Sequence, residues 1–375
     1  AGWHIALEMD TFSLLVEGVA VAATSATALY IIWGIFRTLR SRGDERESKA
    51  LPHTGLVSVD ELSKDQVETI MKVAHRCRAL VKQRGSTDIL KGKILANLFF
   101  EPSTRTRCSF EAAMKRLGGD VVSILDVGNS SVSKGETLED TIMMMCSYSD
   151  AIVIRHPKEG SAVRAVKASS VPVLNAGDGT GEHPTQALLD FFTISWFFPY
   201  LLDNELGQPL RVGCVGDLRH GRTVHSLVKL LSRYNVYLRY VAPDGLEMPD
   251  ELQQTVEHMF RINGLKPDGR QTSHRNIREV LDKVDVLYMT RVQAERFSNK
   301  EEYERFKSSY ILTSELLDEF APQHCKVLHP LPRVNEIHPD VDRNHRQAYF
   351  EQAQNGLYVR MALLSIVFGK SQQIR

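Results

Sequence analysis

The 375 residues, 43% apolar and 25% charged, are enough for two α/β-sized domains, each with its own core. Basic and acidic residues balance at 46 each and no basic stretch carries interleaved aromatics, which argues against a nucleic-acid partner and for small ligands. The five cysteines, 77, 108, 146, 214 and 325, include no two closer than 31 residues, so neither a disulfide framework nor a C-x-x-C metal site is encoded and a reducing, cytoplasmic setting fits.

Residues 18–36 (GVAVAATSATALYIIWGIF) run for 19 residues without a charge and are followed by Arg37, Arg40 and Arg42. This reads as a membrane tether that keeps the downstream chain on the cytoplasmic side, with a cleaved, organelle-targeting segment and a soluble helix as the alternatives. Residues 41–51 (SRGDERESKAL) read as a polar linker, so folding is expected from near His53.

From residue 57 helical and strand patterns alternate. Helices are expected at 64–82, 109–117, 137–148 and 184–196, and strands at 94–100, 121–125, 151–154 and 171–174. After a turn-rich stretch at 203–209 the alternation restarts with strands at 210–215, 236–241, 284–289 and 326–328. A closing amphipathic helix is expected at 346–368, folding back on the first half. The fold class is therefore α/β. Two domains are expected, each a mostly parallel sheet with helices on both faces and the site in the crevice between them. Residues 1–50 form the apolar segment and linker, 51–184 with 345–375 one domain, and 185–344 the other.

Ligands in such sheets gather where strands end in their carboxyl direction. There the sequence places Ser103-Thr104-Arg105-Thr106-Arg107, which combines a helix start, hydroxyl donors and a planar guanidinium fork suited to phosphate. Other strand ends supply Arg155-His156, the segment 175–183 (NAGDGTGEH), Thr290-Arg291-Val292-Gln293 and His329-Pro330-Leu331-Pro332-Arg333. Residues 211–227 (RVGCVGDLRHGRTVHSL) lack the G-x-G-x-x-G spacing of a dinucleotide loop, and their basic groups suit a carboxylate. Residues 128–137 (GNSSVSKGET) miss the Walker spacing. The inventory is one for small anions.

Seven motifs carry a family resemblance: EPSTRTRCSFE, SSVSKGET, IRHP, EHPTQALLD, GDLRHGRTVHSL, YMTRVQAERF and HPLPRVNEI. In this order and approximate spacing they resemble the aspartate carbamoyltransferase family from about residue 53 to residue 370. The resemblance implies transfer of a carbamoyl group from carbamoyl phosphate to the amine of L-aspartate, in pyrimidine biosynthesis, with no metal or organic cofactor. It puts phosphate on Ser103, Thr104, Arg105 and Thr106, with Arg155 reaching phosphate and carbonyl. Thr106, Arg155 and His183 would stabilise the carbonyl oxygen, while Gln186, Leu331 and Pro332 hold the carbamoyl NH2. Arg222, Arg291 and Gln293 would grip the two carboxylates of aspartate. Lys134 and Ser130 would come from the neighbouring subunit of a homotrimer with shared sites. Glu101 would pair with Arg222 and Arg296 on domain closure. The nearest alternative is ornithine carbamoyltransferase, which needs an acidic partner for an ammonium and an H-C-L-P loop; here that loop reads HPLP and Arg291 with Gln293 suits a carboxylate.

Overall fold

The computed structural model describes residues 51, 55–124, 134–202, 207–293, 297, 300–307 and 309–374. The apolar run 18–36, Ser130 and Arg296 lie outside the described residues. No described helix is long and apolar enough to cross a membrane.

In the first half the elements run β1 (Gly55–Leu56), α1 (Lys64–Arg84), β2 (Ile94–Phe99), α2 (Thr104–Arg116), β3 (Asp120–Ile124), α3 (Leu138–Cys146), β4 (Ala151–His156), α4 (Ser161–Ala168), β5 (Val173–Asp178) and α5 (Pro184–Phe197). The second half continues β6 (Leu210–Val215), α6 (Arg222–Leu231), β7 (Val236–Val241), α7 (Asp250–Ile262), β8 (Gln271–His274), β9 (Val286–Met289), α8 (Lys300–Phe306), α9 (Ser314–Phe320), β10 (Lys326–Leu328) and α10 (Tyr349–Val367). Two parallel five-stranded sheets result, ordered β1-β5-β4-β2-β3 and β10-β9-β6-β7-β8.

Both sheets are covered on both faces, which is why their inner strands β2, β4, β6 and β9 are nearly continuous apolar runs. Along β2 and β4, Leu95, Phe99, Ala151 and Val153 join the core under α1, α2 and α10, while Ala96, Leu98, Ile152 and Ile154 pack on the other side with Ile142 of α3 and Ala162 of α4. The period of two in strand side chains makes this division automatic. In the second sheet Val212, Leu238 and Tyr288 continue the first of these cores, and Val215, Val241 and Met289 turn to a separate one with Leu317 of α9. Helix α5 joins the two halves: it is buried from Pro184 to Ser195 and packs against α6 and α10.

Several expectations need correction. Helix α2 starts at Thr104 rather than Ser109, because its first turn is polar and carries no apolar signal. The terminal helix α10 is not amphipathic. It packs on α1, α2 and α5 and is enclosed almost all round, including Asn355 and Arg360, as a helix shared by several layers must be. β5 extends four residues past the expected end, to Asp178, and β9 begins at Val286. β1 and β8 were not anticipated; one is two residues long and the other reads QTSH, so neither shows strand periodicity.

Candidate active site

A cleft of about 720 Å³ opens between the halves, lined by residues that follow the carboxyl ends of β2, β4, β5, β6, β9 and β10. Three helix N-termini border it. Ser103, His183 and Gly221 are the N-caps of α2, α5 and α6, and none makes a side-chain cap bond. By contrast Ser63 and Thr137 close α1 and α3 with such bonds. First-turn N–H groups and their positive end charge are thus turned to whatever occupies the cleft.

Among the described residues five arginines line the cleft, Arg105, Arg155, Arg222, Arg291 and Arg360, against a single acidic residue, Glu101. Glu101 Oε2 lies 3.2 Å from Arg155 Nη2 and 3.5 Å from Arg222 Nη2, so it bridges a guanidinium of each half. Arg222 Nη1 also donates to the Gly179 carbonyl, and Arg155 Nη1 donates to the Ala176 carbonyl at 3.1 Å. Gly177, with φ at +117°, lets the two guanidiniums approach: a Cβ there would stand 2.9 Å from Arg155 Nη1 and 3.4 Å from Arg222 Nη2. Burial and the charge of Arg291 lower the pKa of Arg105, an unfavourable arrangement that a bound anion relieves.

His183 is 4% exposed and its Nδ1 has no hydrogen-bond partner. Burial, then the charges of Arg155, Arg222 and Arg360, hold its pKa well below the ordinary imidazole value. It is therefore a neutral hydrogen-bonding group at physiological pH.

The cleft gathers Glu101, Ser103, Thr104, Arg105, Thr106, Arg155, His183, Gln186, Arg222, Arg291, Gln293, Leu331 and Pro332, all anticipated from the sequence. Gln293 Nε2 donates to the His220 carbonyl at 3.0 Å. Lys134 is exposed and does not line the cleft of its own chain. The Leu331–Pro332 peptide is cis and Leu331 has φ +54°. Sequence reasoning missed Arg360, Thr223 and Gln352, which line the cleft, and Asp190 behind it, whose carboxyl is pushed up to about 7 by burial. The one charged residue of a 14-residue helix, four positions after Gln186, was the available signal for Asp190. No group of three or more His, Cys, Asp or Glu among the described residues is placed to hold a metal ion.

The chain matches two family models, the aspartate/ornithine carbamoyltransferase carbamoyl-P binding domain over residues 55–195 and the Asp/Orn binding domain over residues 208–367. Multifunctional protein pyr1-3 of Dictyostelium discoideum is 50% identical over 84% of this chain, which spans only 13% of that much longer protein. The aspartate carbamoyltransferase catalytic subunit of Thermococcus kodakarensis is 45% identical over 84% of this chain and 96% of its own length. Among solved structures, aspartate transcarbamoylase of Trypanosoma cruzi in complex with carbamoyl aspartate and phosphate superposes with a TM-score of 0.75, at 38% identity, over 84% of this chain and 96% of that one. The two parallel sheets, the arginine-lined cleft between them and these matches together show that the chain belongs to the aspartate carbamoyltransferase family.

Proposed function

We propose that this chain transfers the carbamoyl group of carbamoyl phosphate to the amine of L-aspartate, giving N-carbamoyl-L-aspartate and phosphate. The observation that carries this reading is the charge of the cleft, where the described residues set five arginines against one carboxylate that two of them already engage. A phosphate and a dicarboxylate satisfy that excess. Among the described cleft residues the side-chain ammonium of ornithine would meet only Glu101, which the two arginines already engage, and this argues against the ornithine alternative.

In the proposed sequence carbamoyl phosphate seats its phosphate on the first turn of α2 and on Arg105, and its carbonyl oxygen among Thr106, Arg155 and His183. Gln186 and the Leu331 carbonyl, beside Pro332, accept from the NH2 group. Aspartate is held by Arg222, Arg291 and Gln293, and its uncharged amine attacks the carbonyl carbon. The N–C bond forms, negative charge grows on the carbonyl oxygen, and the C–O bond to phosphate then breaks with its electron pair on the phosphate oxygen, which takes up the proton that the amine loses. Donors fixed where that charge develops lower the barrier, and holding both reactants supplies much of the rest. Glu101 and Arg222 link the two halves over the bound substrates, with Arg296 as a second partner. The reading divides the chain into a carbamoyl-phosphate-binding domain (51–184 with 345–375) and an aspartate-binding domain (185–344).

The reading also includes a homotrimer whose sites are completed by Lys134 of a neighbour. Exposed Val122, Met143, Met144 and Tyr148, on β3 and at or just beyond α3, suit burial against another copy. Residues 18–36 would tether the enzyme to a membrane, a point tested by whether the full chain pellets with membranes and resists carbonate washing. Titration calorimetry of the full chain with N-phosphonoacetyl-L-aspartate and with the corresponding ornithine analogue tests the substrate assignment. Tight binding of the aspartyl compound alone is expected; preference for the ornithine compound overturns it.

A further inference from the structure

We propose that Asp190, which lies behind the cleft, is the positioning residue that lets the site recognise the carbamoyl NH2 group; this rests on the reading above. Asp190 is fully buried in α5. Its Oδ1 accepts from Gln186 Nε2 at 2.8 Å and from Gln352 Nε2 at 2.6 Å, and its Oδ2 accepts from the Tyr288 hydroxyl at 2.7 Å. One carboxylate thereby joins α5, α10 and strand β9 of the second sheet.

Its importance lies in the direction of donation. Oδ1 takes both amides and so acts as acceptor whether the group is ionised or carries a proton on Oδ2, and each glutamine therefore turns its NH2 toward Asp190 and its carbonyl oxygen away. Gln352 Oε1 then accepts the His329 N–H at 2.8 Å. His329 Nδ1 accepts the Leu331 N–H at 2.8 Å, which leaves the ring proton on Nε2, facing Glu336 Oε1 at 2.7 Å. From one end of this chain Gln186 is left with only an acceptor to offer the cleft, and from the other the loop that carries the Leu331 carbonyl is fixed. Both acceptors for an NH2 group thus trace back to one buried carboxylate.

An amide free to rotate would present NH2 to NH2 half the time, and it would tolerate a methyl in that place equally well. A site that demands a donor discriminates strongly against a ligand that lacks one. Acetyl phosphate is the suitable probe, because it replaces the carbamoyl NH2 by CH3 and keeps the phosphate and the carbonyl. In Asp190→Leu both glutamine amides lose their common acceptor, whereas Asp190→Asn keeps an acceptor oxygen in place.

The test measures dissociation constants of carbamoyl phosphate and acetyl phosphate for the full-length wild type and both variants, with folding checked by circular dichroism. Asp190→Leu should weaken carbamoyl phosphate at least tenfold and acetyl phosphate less than threefold, while Asp190→Asn should keep the wild-type preference within about threefold. Equal weakening of both ligands, no change in either, or an asparagine variant as unselective as the leucine variant overturns the proposal. If Asp190→Leu does not fold, Gln352→Met cuts only the arm to Leu331. It should lower the preference by a smaller factor, and an unchanged preference overturns the link. A wild type that binds carbamoyl phosphate and yet turns over no aspartate would contradict the functional reading and leave the Asp190 test intact.

Discussion

Replacing His183 by alanine removes one donor from the position where negative charge develops. The imidazole is buried, its Nδ1 has no partner, and burial with three arginines keeps it neutral, so its N–H dipole is fixed and not diluted by water. A hydrogen bond to a charged acceptor contributes about 1.5–3 kcal/mol. Because the full charge appears only in the transition state, the upper part of that range, about 2–3 kcal/mol, should appear in kcat as a loss of roughly 30- to 160-fold. Carbamoyl phosphate binding, which rests mainly on the start of α2 and on Arg105, should change less than threefold. Steady-state kinetics from pH 5.5 to 9 provide the assay. A neutral donor leaves no acid limb near pH 6.5 belonging to this residue. A kcat within threefold of wild type, or a limb near pH 6.5 that disappears in the variant, would refute the reasoning.

Arg105→Ala should abolish turnover with the fold intact, since the side chain lines the cleft and belongs to no core; unchanged kcat/KM would contradict its placement. Arg291→Ala should chiefly raise the KM for aspartate, and equal damage to carbamoyl phosphate binding would count against it. Co-refolded Arg105→Ala and Lys134→Ala chains should recover about a quarter of wild-type activity, because about three quarters of random trimers are mixed and each has one intact site in three. Hybrid trimers as inactive as their parents would place Lys134 outside the neighbour's site. Burial raises Asp190 to about 7, so the folded state holds a proton that the unfolded chain has released, and stability falls as pH rises from about 4 to about 7. Asp190→Asn should remove that slope, and unfolding curves in urea at several pH values will show whether it does.

The sequence made the anion chemistry legible because it sits in short polar strings at the ends of apolar runs. Ser103 to Thr106, Arg155, His183 and Arg291 all stand where a strand stops, and the sheets bring them together. What it concealed was of two kinds. The start of α2 was misplaced because helical periodicity is visible only where one face is buried, and its first turn faces a ligand cleft. Asp190, Gln352 and Arg360 were missed because polar residues scattered through the largely buried helices α5 and α10 form no motif, and only packing reveals that the two helices lie against each other with these groups between them. The closing helix illustrates the same limit: a segment buried on every side has no polar face to announce its orientation.

The central claim is tested most directly by incubating the full-length protein with 13C-carbamoyl phosphate and an equimolar mixture of L-aspartate and L-ornithine, and following the products by NMR. N-carbamoyl-L-aspartate and stoichiometric phosphate are expected, with no citrulline above the uncatalysed background. Citrulline as the main product, or hydrolysis of carbamoyl phosphate with neither amino acid modified, would contradict the account.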